Sequence, residues 1–268
     1  MQVIVVSNSP SKRAEYFVEA GRNLQAEVRF LTYEELFNCL SSLRQAVVKL
    51  EPWVSSETDF LRYALLSEEY KETLQRLGKI ILPDDVHFLN PPHALLQALD
   101  KKETKQILSA NDLSVTPMLD TPRSFEELVQ ALSDYGRGCF LKPRYGSGAG
   151  GIMAIRYQPR QKKWVVYTTL QKVDGIILHL NNNARLWSEL PLSEDVRQRV
   201  YLLCRKAVRT LGLRYAGVDV LIERGTDTPY IIEVNGQGDH IYQDMYAHNS
   251  IYTRQIRTIK KKYDHADR

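Results

Sequence analysis

The sequence predicts an α/β unit over residues 1–90 followed by an α+β remainder. Three observations predict it. Strand and helix patterns alternate through the first ninety residues, a glycine-rich loop separates two apolar strands near residues 139–152, and two apolar strands form a hairpin towards the carboxyl end. The chain has 268 residues, 43% hydrophobic and 25% charged, which is globular composition and too long for one small module.

The elements follow in order. Gln2–Ser7 is a β-branched apolar run closed by Asn8, Ser9 and Pro10, hence a strand and turn, with a helix over 11–21 behind it. A strand over 27–31 precedes helices over 32–39 and 59–77, and a short apolar run at 79–82 stops at Pro83. The first turn lacks the glycines with which a dinucleotide-binding turn approaches a pyrophosphate, so a nicotinamide cofactor there is set aside. Pro91 and Pro92 mark a boundary near Asn90. Beyond it the pattern gives helices over 95–110 and 124–135, then strands over 138–142, 151–157 and 163–168. A long helix over 193–211, two strands and a closing helix complete the chain.

Charge and cysteine content narrow the function classes. Lys and Arg number 36 against 32 Asp and Glu, and the whole excess of +4 sits in residues 251–268, which hold six basic and two acidic side chains. One terminal run reads as a solvated helix end rather than a nucleic-acid face. Cys39, Cys139 and Cys204 lie far apart without metal-type spacing and read as reduced, structural thiols. No stretch approaches the ~18 apolar residues of a spanning helix, and no charged leader precedes the first strand. A cytoplasmic protein with no membrane partner is expected; oligomeric state leaves no signal.

Two motifs carry chemistry. Gly146, Gly148, Gly150 and Gly151 form a loop between apolar strands, where glycine can adopt positive φ and bring N–H groups to phosphate oxygens. Lys142 adds a positive charge at the strand end. This is no P-loop, because the lysine precedes the glycines and a strand follows them; a plain hairpin loop is the other reading. In the carboxyl-terminal hairpin, a turn centred on Thr226 sets Asp219 opposite Glu233, with Asn235 on their face and Val218, Val220, Ile232 and Val234 on the core face. Opposed carboxylates repel by roughly 0.2–1 kcal/mol when exposed unless a cation sits between them. Magnesium shared with a phosphate is one explanation, a solvated outer pair the other.

The order of Lys101 in its lysine-rich helix start, Lys142 with the glycine loop, Asp219, and Glu233 with Asn235 resembles the ATP-grasp superfamily, including RimK-like and peptide-modifying carboxylate-amine ligases. The resemblance covers roughly residues 90–255. It implies a preceding α/β domain, then a two-lobed ATP-grasp fold with a small lobe over 91–180 and a metal-binding lobe over 181–268. It further implies ATP-dependent ligation of a small-molecule or peptide carboxylate through an acyl phosphate, with ATP and Mg2+ bound. Carried over residue by residue, Lys101 and Lys142 contact phosphates, Lys142 also lying near the adenine. Gly146, Ser147, Gly148, Gly150 and Gly151 form the lid, and Asp219, Glu233 and Asn235 hold magnesium. Arg144 reaches a phosphate or acidic substrate, or else forms a surface ion pair; Gln237, Asp239 and His240 line the acceptor side, unless Asp239 merely caps a helix. The chain departs from the family between Lys142 and Asp219, where no hinge strand with an adenine-side glutamate is legible; Glu189 lies too near the long helix. The alternative is therefore an ATP-grasp protein without turnover, serving as a nucleotide-binding or interaction module.

Overall fold

The structure, a computed structural model, describes residues 1–53, 59–146, 151–161, 163–168, 170–173, 176–179, 192–238 and 241–263. The first unit comprises β1 (Gln2–Ser7), α1 (Lys12–Asn23), β2 (Val28–Thr32), α2 (Tyr33–Cys39), β3 (Ala46–Leu50), α3 (Phe60–Leu77) and β4 (Val86–Phe88). Its strands form a parallel sheet in the order β2-β1-β3-β4. Ser11 starts α1 by accepting a bond from the Ala14 N–H, and Thr32 with Glu35 closes a capping box on α2. The run at 79–82 forms no strand; Ile81 is 94% exposed, and pairing begins only at Val86, beyond Pro83. Strand β3 carries no expectation from the sequence because Lys49 interrupts its apolar run, yet all five of its residues are buried.

Both faces of a parallel sheet need cover. Ile4, Val6 and Val48 pack towards α2, α3 and α4 (Pro92–Leu99), whereas Val3, Val5 and Val47 share a second cluster with Phe17 of α1. The helix expected over 95–110 is broken in two. Asp100 is extended (φ −85°, ψ 98°), and its carboxylate accepts from the N–H groups of Lys102 and Glu103, both at 3.1 Å, so α5 (Lys101–Ala110) starts afresh with Lys101 at its first residue.

Next come α6 (Phe125–Tyr135) and the antiparallel strands β5 (Cys139–Leu141), β6 (Met153–Gln158) and β7 (Lys163–Thr168). A hairpin of β8 (Leu170–Val173) and β9 (Ile176–His179) follows, which the sequence reading does not contain. Its signal is Asp174-Gly175 between two apolar runs, a preferred two-residue hairpin connection. The last elements are α7 (Glu194–Thr210), the hairpin β10 (Gly217–Ile222) and β11 (Pro229–Asn235), α8 (Ile241–Ala247) and α9 (Ser250–Tyr263). Ala207, Ile231 and Val234 from these elements join Ile4 and Val48 in one continuous core.

Helix α9 adds a buried face to the solvated basic tail. Arg254, Arg257 and Lys261 do face solvent. Its other side, however, buries Tyr252, Ile256 and Ile259 in the cluster on the α1 face of the sheet, with Tyr252 edge-on to Phe17 at 5.3 Å between ring centroids. An apolar residue every three to four positions makes this helix amphipathic and ties the end of the chain to its beginning.

A buried charge cluster sits where these parts meet. Arg13 Nε donates to Glu51 Oε2 at 2.8 Å, and Lys49 lies against the other carboxylate oxygen as an ion pair without hydrogen-bond alignment. The Lys49 ammonium also faces the rings of Phe17, Tyr215 and Tyr252 at 5.1–5.5 Å. Burial, and then the charge of Arg13, drive the Lys49 pKa well below its ordinary value.

Candidate functional site

The hairpin places Asp219 directly across from Glu233, as its turn symmetry predicts, but the pairing shifts by one residue beyond that point. Val220 pairs with Ile231, leaving Ile232 as the extra residue of a β-bulge. The bulge changes which side chains reach the core: Ile231 (0% exposed) and Val234 (1%) are buried, while Ile232 is only partly so. Alternation read straight through would have buried Ile232. The bulge thus lets Ile231 and Val234 both point inward while Glu233 and Asn235 reach a cleft.

Two lysines meet Glu233 there. Lys142 Nζ lies 3.3 Å from Oε2 and Lys101 Nζ 3.6 Å from Oε1, with Glu233 itself 16% exposed. The break at Asp100 aims Lys101 into this contact, and its ammonium also donates to the Gly146 carbonyl at 2.6 Å. A third lysine, Lys105, is one turn along α5 and donates to Thr116 Oγ1 at 2.6 Å. Burial lowers its pKa, the ammonium of Lys142 lowers it further, and Glu233 pulls the other way. Lys105 follows Lys101 at i+4 on the same helix face, a spacing visible in the sequence.

Arg144 forms an ion pair with Asp100, its Nε at 2.8 and 2.9 Å from the two carboxylate oxygens and its Nη2 at 2.6 Å from Oδ2. Burial opposes ionisation of Asp100, but the Arg144 bond and the Glu103 N–H outweigh it, so the carboxyl titrates below its ordinary range. Gly146 has φ +112°, and a Cβ there would meet the Tyr63 ring at 3.2 Å, so the base of the glycine loop rests on α3. Gly151 also has positive φ (71°). Ser147, Gly148, Gly150, Asp239, His240 and Glu189 lie outside the described residues.

Three consecutive carbonyls after β11 are held by side chains of the first unit and its boundary. Asn90 Nδ2 donates to Gly236 O at 2.8 Å, and the Arg13 guanidinium donates to Gln237 O and to Gly238 O. The Gln237 side chain donates to the Tyr70 hydroxyl. Asn235, Gly236 and Gln237 line a solvent-open cleft together with Trp53 and with Tyr63, Leu66, Ser67 and Tyr70 of α3. Phe140, two residues before Lys142, and Tyr167, in the same cross-strand row, expose 71% and 73% of their surface on one face of the small sheet. The α3 wall of the cleft was not legible from the sequence, because helix placement is a tertiary fact.

Among the described residues no three His, Cys, Asp or Glu side chains converge. Two opposed carboxylates and the Asn235 amide nonetheless match the chemistry of a hard cation that completes its shell with phosphate and water.

No family model and no curated protein matches the sequence. Solved structures do match in three dimensions. The ATP-grasp ligase PsnB, complexed with minimal precursor, Mg and ADP, superposes with a TM-score of 0.57 at 14% identity, over 97% of this chain and 98% of that one. D-cycloserine synthetase DcsG gives 0.58 at 14% identity over 95% and 99%, and biotin carboxylase from Campylobacter jejuni gives 0.59 at 14% over 94% and 70%. Superposition over nearly the whole chain on these structures gives this protein, with its parallel amino-terminal sheet, small antiparallel sheet and carboxyl-terminal hairpin, the ATP-grasp fold.

Proposed function

We propose that the chain is an ATP-dependent ligase that activates a carboxylate as an acyl phosphate and transfers the acyl group to an amine or other nucleophile, using Mg2+. The observation that carries this reading is the convergence of Lys101 and Lys142 on Glu233, itself opposed by Asp219. Such a cluster neutralises phosphate charge without supplying a protein nucleophile, which is what phosphoryl transfer asks of a site. The reading takes residues 1–90 as the preceding domain, 91–180 as the lobe with the lid and 181–268 as the lobe with the metal hairpin. It is supported by ligases of the same fold solved with ATP, or with Mg and ADP. Three free cysteines accord with a cytoplasmic setting, and no described helix is long and apolar enough to cross a membrane.

In this reading Lys101 and Lys142 hold the transferred phosphoryl group, with Phe140 on the base side of Lys142. Asp219, Glu233 and Asn235 would hold Mg2+, which supplies charge neutralisation on the phosphate oxygens. A substrate carboxylate oxygen attacks the γ-phosphorus as ADP leaves; the nucleophile then attacks the acyl carbon as phosphate leaves. The loop over 236–238, fixed by Asn90 and Arg13, orients the acceptor side.

Asp219→Asn and Glu233→Gln are each expected to lower acid-dependent ADP release on the order of a hundredfold or more, while the far-ultraviolet circular dichroism of the chain stays unchanged. Turnover that survives both substitutions would remove the hairpin from the reaction.

A further inference from the structure

The cleft combines two kinds of lining. Lys101 and Glu233 are the charged side chains that line it among the described residues, and both stand where phosphoryl transfer is proposed. The rest of the lining includes Trp53, Tyr63, Leu66, Tyr70 and Leu99, with Tyr63 beside Gly146, whose carbonyl holds Lys101. Of its polar atoms, Ser67 Oγ donates to the Tyr63 carbonyl at 3.1 Å and the Tyr70 hydroxyl receives the Gln237 amide, while the buried Trp53 Nε1–H has no partner among the described residues and can donate to a neutral acceptor on a ligand. A second charge placed against this wall would lose water and meet no opposite charge among its described residues. An apolar body would instead cover aromatic and aliphatic surface already turned towards the cleft.

We infer that the acid activated here carries a single anionic group, its reacting carboxylate, on an uncharged apolar or aromatic body. This rests on the ligase reading and specifies its substrate. The carboxylate lies towards Lys101, and the body extends along α3 between Tyr63 and Tyr70 towards Trp53. Free amino acids and dicarboxylates each bring a second charge, which finds no opposite charge on this wall among the described residues.

Three acids of related shape test the inference: N-acetylphenylalanine, which meets the description; phenylalanine, which adds an ammonium; and N-acetylglutamate, which adds a carboxylate. Each enantiomer is titrated calorimetrically into the full chain loaded with Mg2+ and a non-hydrolysable ATP analogue. A parallel assay with ATP uses hydroxylamine as the nucleophile. Its nitrogen attacks the acyl carbon, the bond from that carbon to the phosphate oxygen breaks, and a hydroxamate and phosphate are released. N-acetylphenylalanine is expected to bind, and to yield hydroxamate, at least about tenfold better than the other two. Leu66→Arg, which sets a cation in the wall, is expected to move that preference about tenfold towards N-acetylglutamate. Equal or better binding of phenylalanine or N-acetylglutamate by the unsubstituted chain overturns the inference, as does a preference untouched by Leu66→Arg. So does the absence of binding by all three acids in a chain that has bound the nucleotide analogue. Failure of the analogue itself to bind marks a different result, since it removes the ligase reading on which the substrate assignment depends.

Discussion

A chain ended at Ser250 is expected to lose its cooperative thermal transition. Helix α9 supplies Tyr252, Ile256 and Ile259, each at most 2% exposed, to the cluster that covers one face of the parallel sheet. Removing one buried side chain of this size costs about 2–5 kcal/mol. Removing three together approaches the whole stability of a typical domain, about 5–15 kcal/mol. Charge reversal at Arg254, Arg257 and Lys261 tests the outward face separately and is expected to change stability by less than about 0.5 kcal/mol each. Melting followed by circular dichroism distinguishes the two faces. A truncated chain that melts with the full chain would show α9 to be a dispensable cover.

Substituting Lys101 or Lys142 by methionine is expected to move metal affinity in opposite directions according to whether nucleotide is present. Both ammonium groups lie within 3.6 Å of Glu233 and are largely withdrawn from solvent, with 19% and 25% of their side chains exposed. A divalent cation arriving alone must displace them from its carboxylate ligand and then remain beside two like charges. Nucleotide phosphates give the lysines another partner. Mn2+ titrated without nucleotide, followed by its paramagnetic resonance signal, should therefore bind each variant roughly tenfold tighter than the parent, a shift of about 1.4 kcal/mol. With a non-hydrolysable ATP analogue present, the same variants should bind metal and nucleotide more weakly. A shift of the same sign in both titrations would mean that the lysines and the metal do not compete for Glu233.

The parts of the site that sequence made legible are those set by short-range geometry. Asp219 faces Glu233 because a hairpin is nearly symmetric about its turn, and the parallel unit follows from alternating strand and helix patterns. The bulge at Ile232 is invisible to that symmetry, since either neighbouring isoleucine satisfies an apolar position. Asp100 followed by Glu103 is a helix-start signature that a continuous apolar pattern conceals, and this break aims Lys101. Strand β3 is hidden by Lys49, whose burial depends on Glu51 and on aromatic rings from three other segments. The cleft wall on α3 and the inward face of α9 depend on which surfaces meet, and no local pattern states that.

The small sheet of β5, β6 and β7, with α6 against it, belongs to neither hydrophobic cluster of the molecule; its own buried centre includes Leu132 and Ile155. The contacts described across to the remainder are directional and polar: Lys142 to Glu233, Arg144 to Asp100, and Lys101 to Gly146. The 236–238 turn, by contrast, is bolted to the amino-terminal sheet through Arg13 and Asn90. The hairpin thus shares one continuous core with the amino-terminal sheet to which that turn is bolted, whereas the ion pairs of Lys142 with Glu233 and of Arg144 with Asp100 are of a kind that ionic strength weakens. In the proposed reading, a polyphosphate arriving between Lys101 and Lys142 would compete with Glu233 for the same ammonium groups that join the two parts, so filling the site and loosening the joint would be one event.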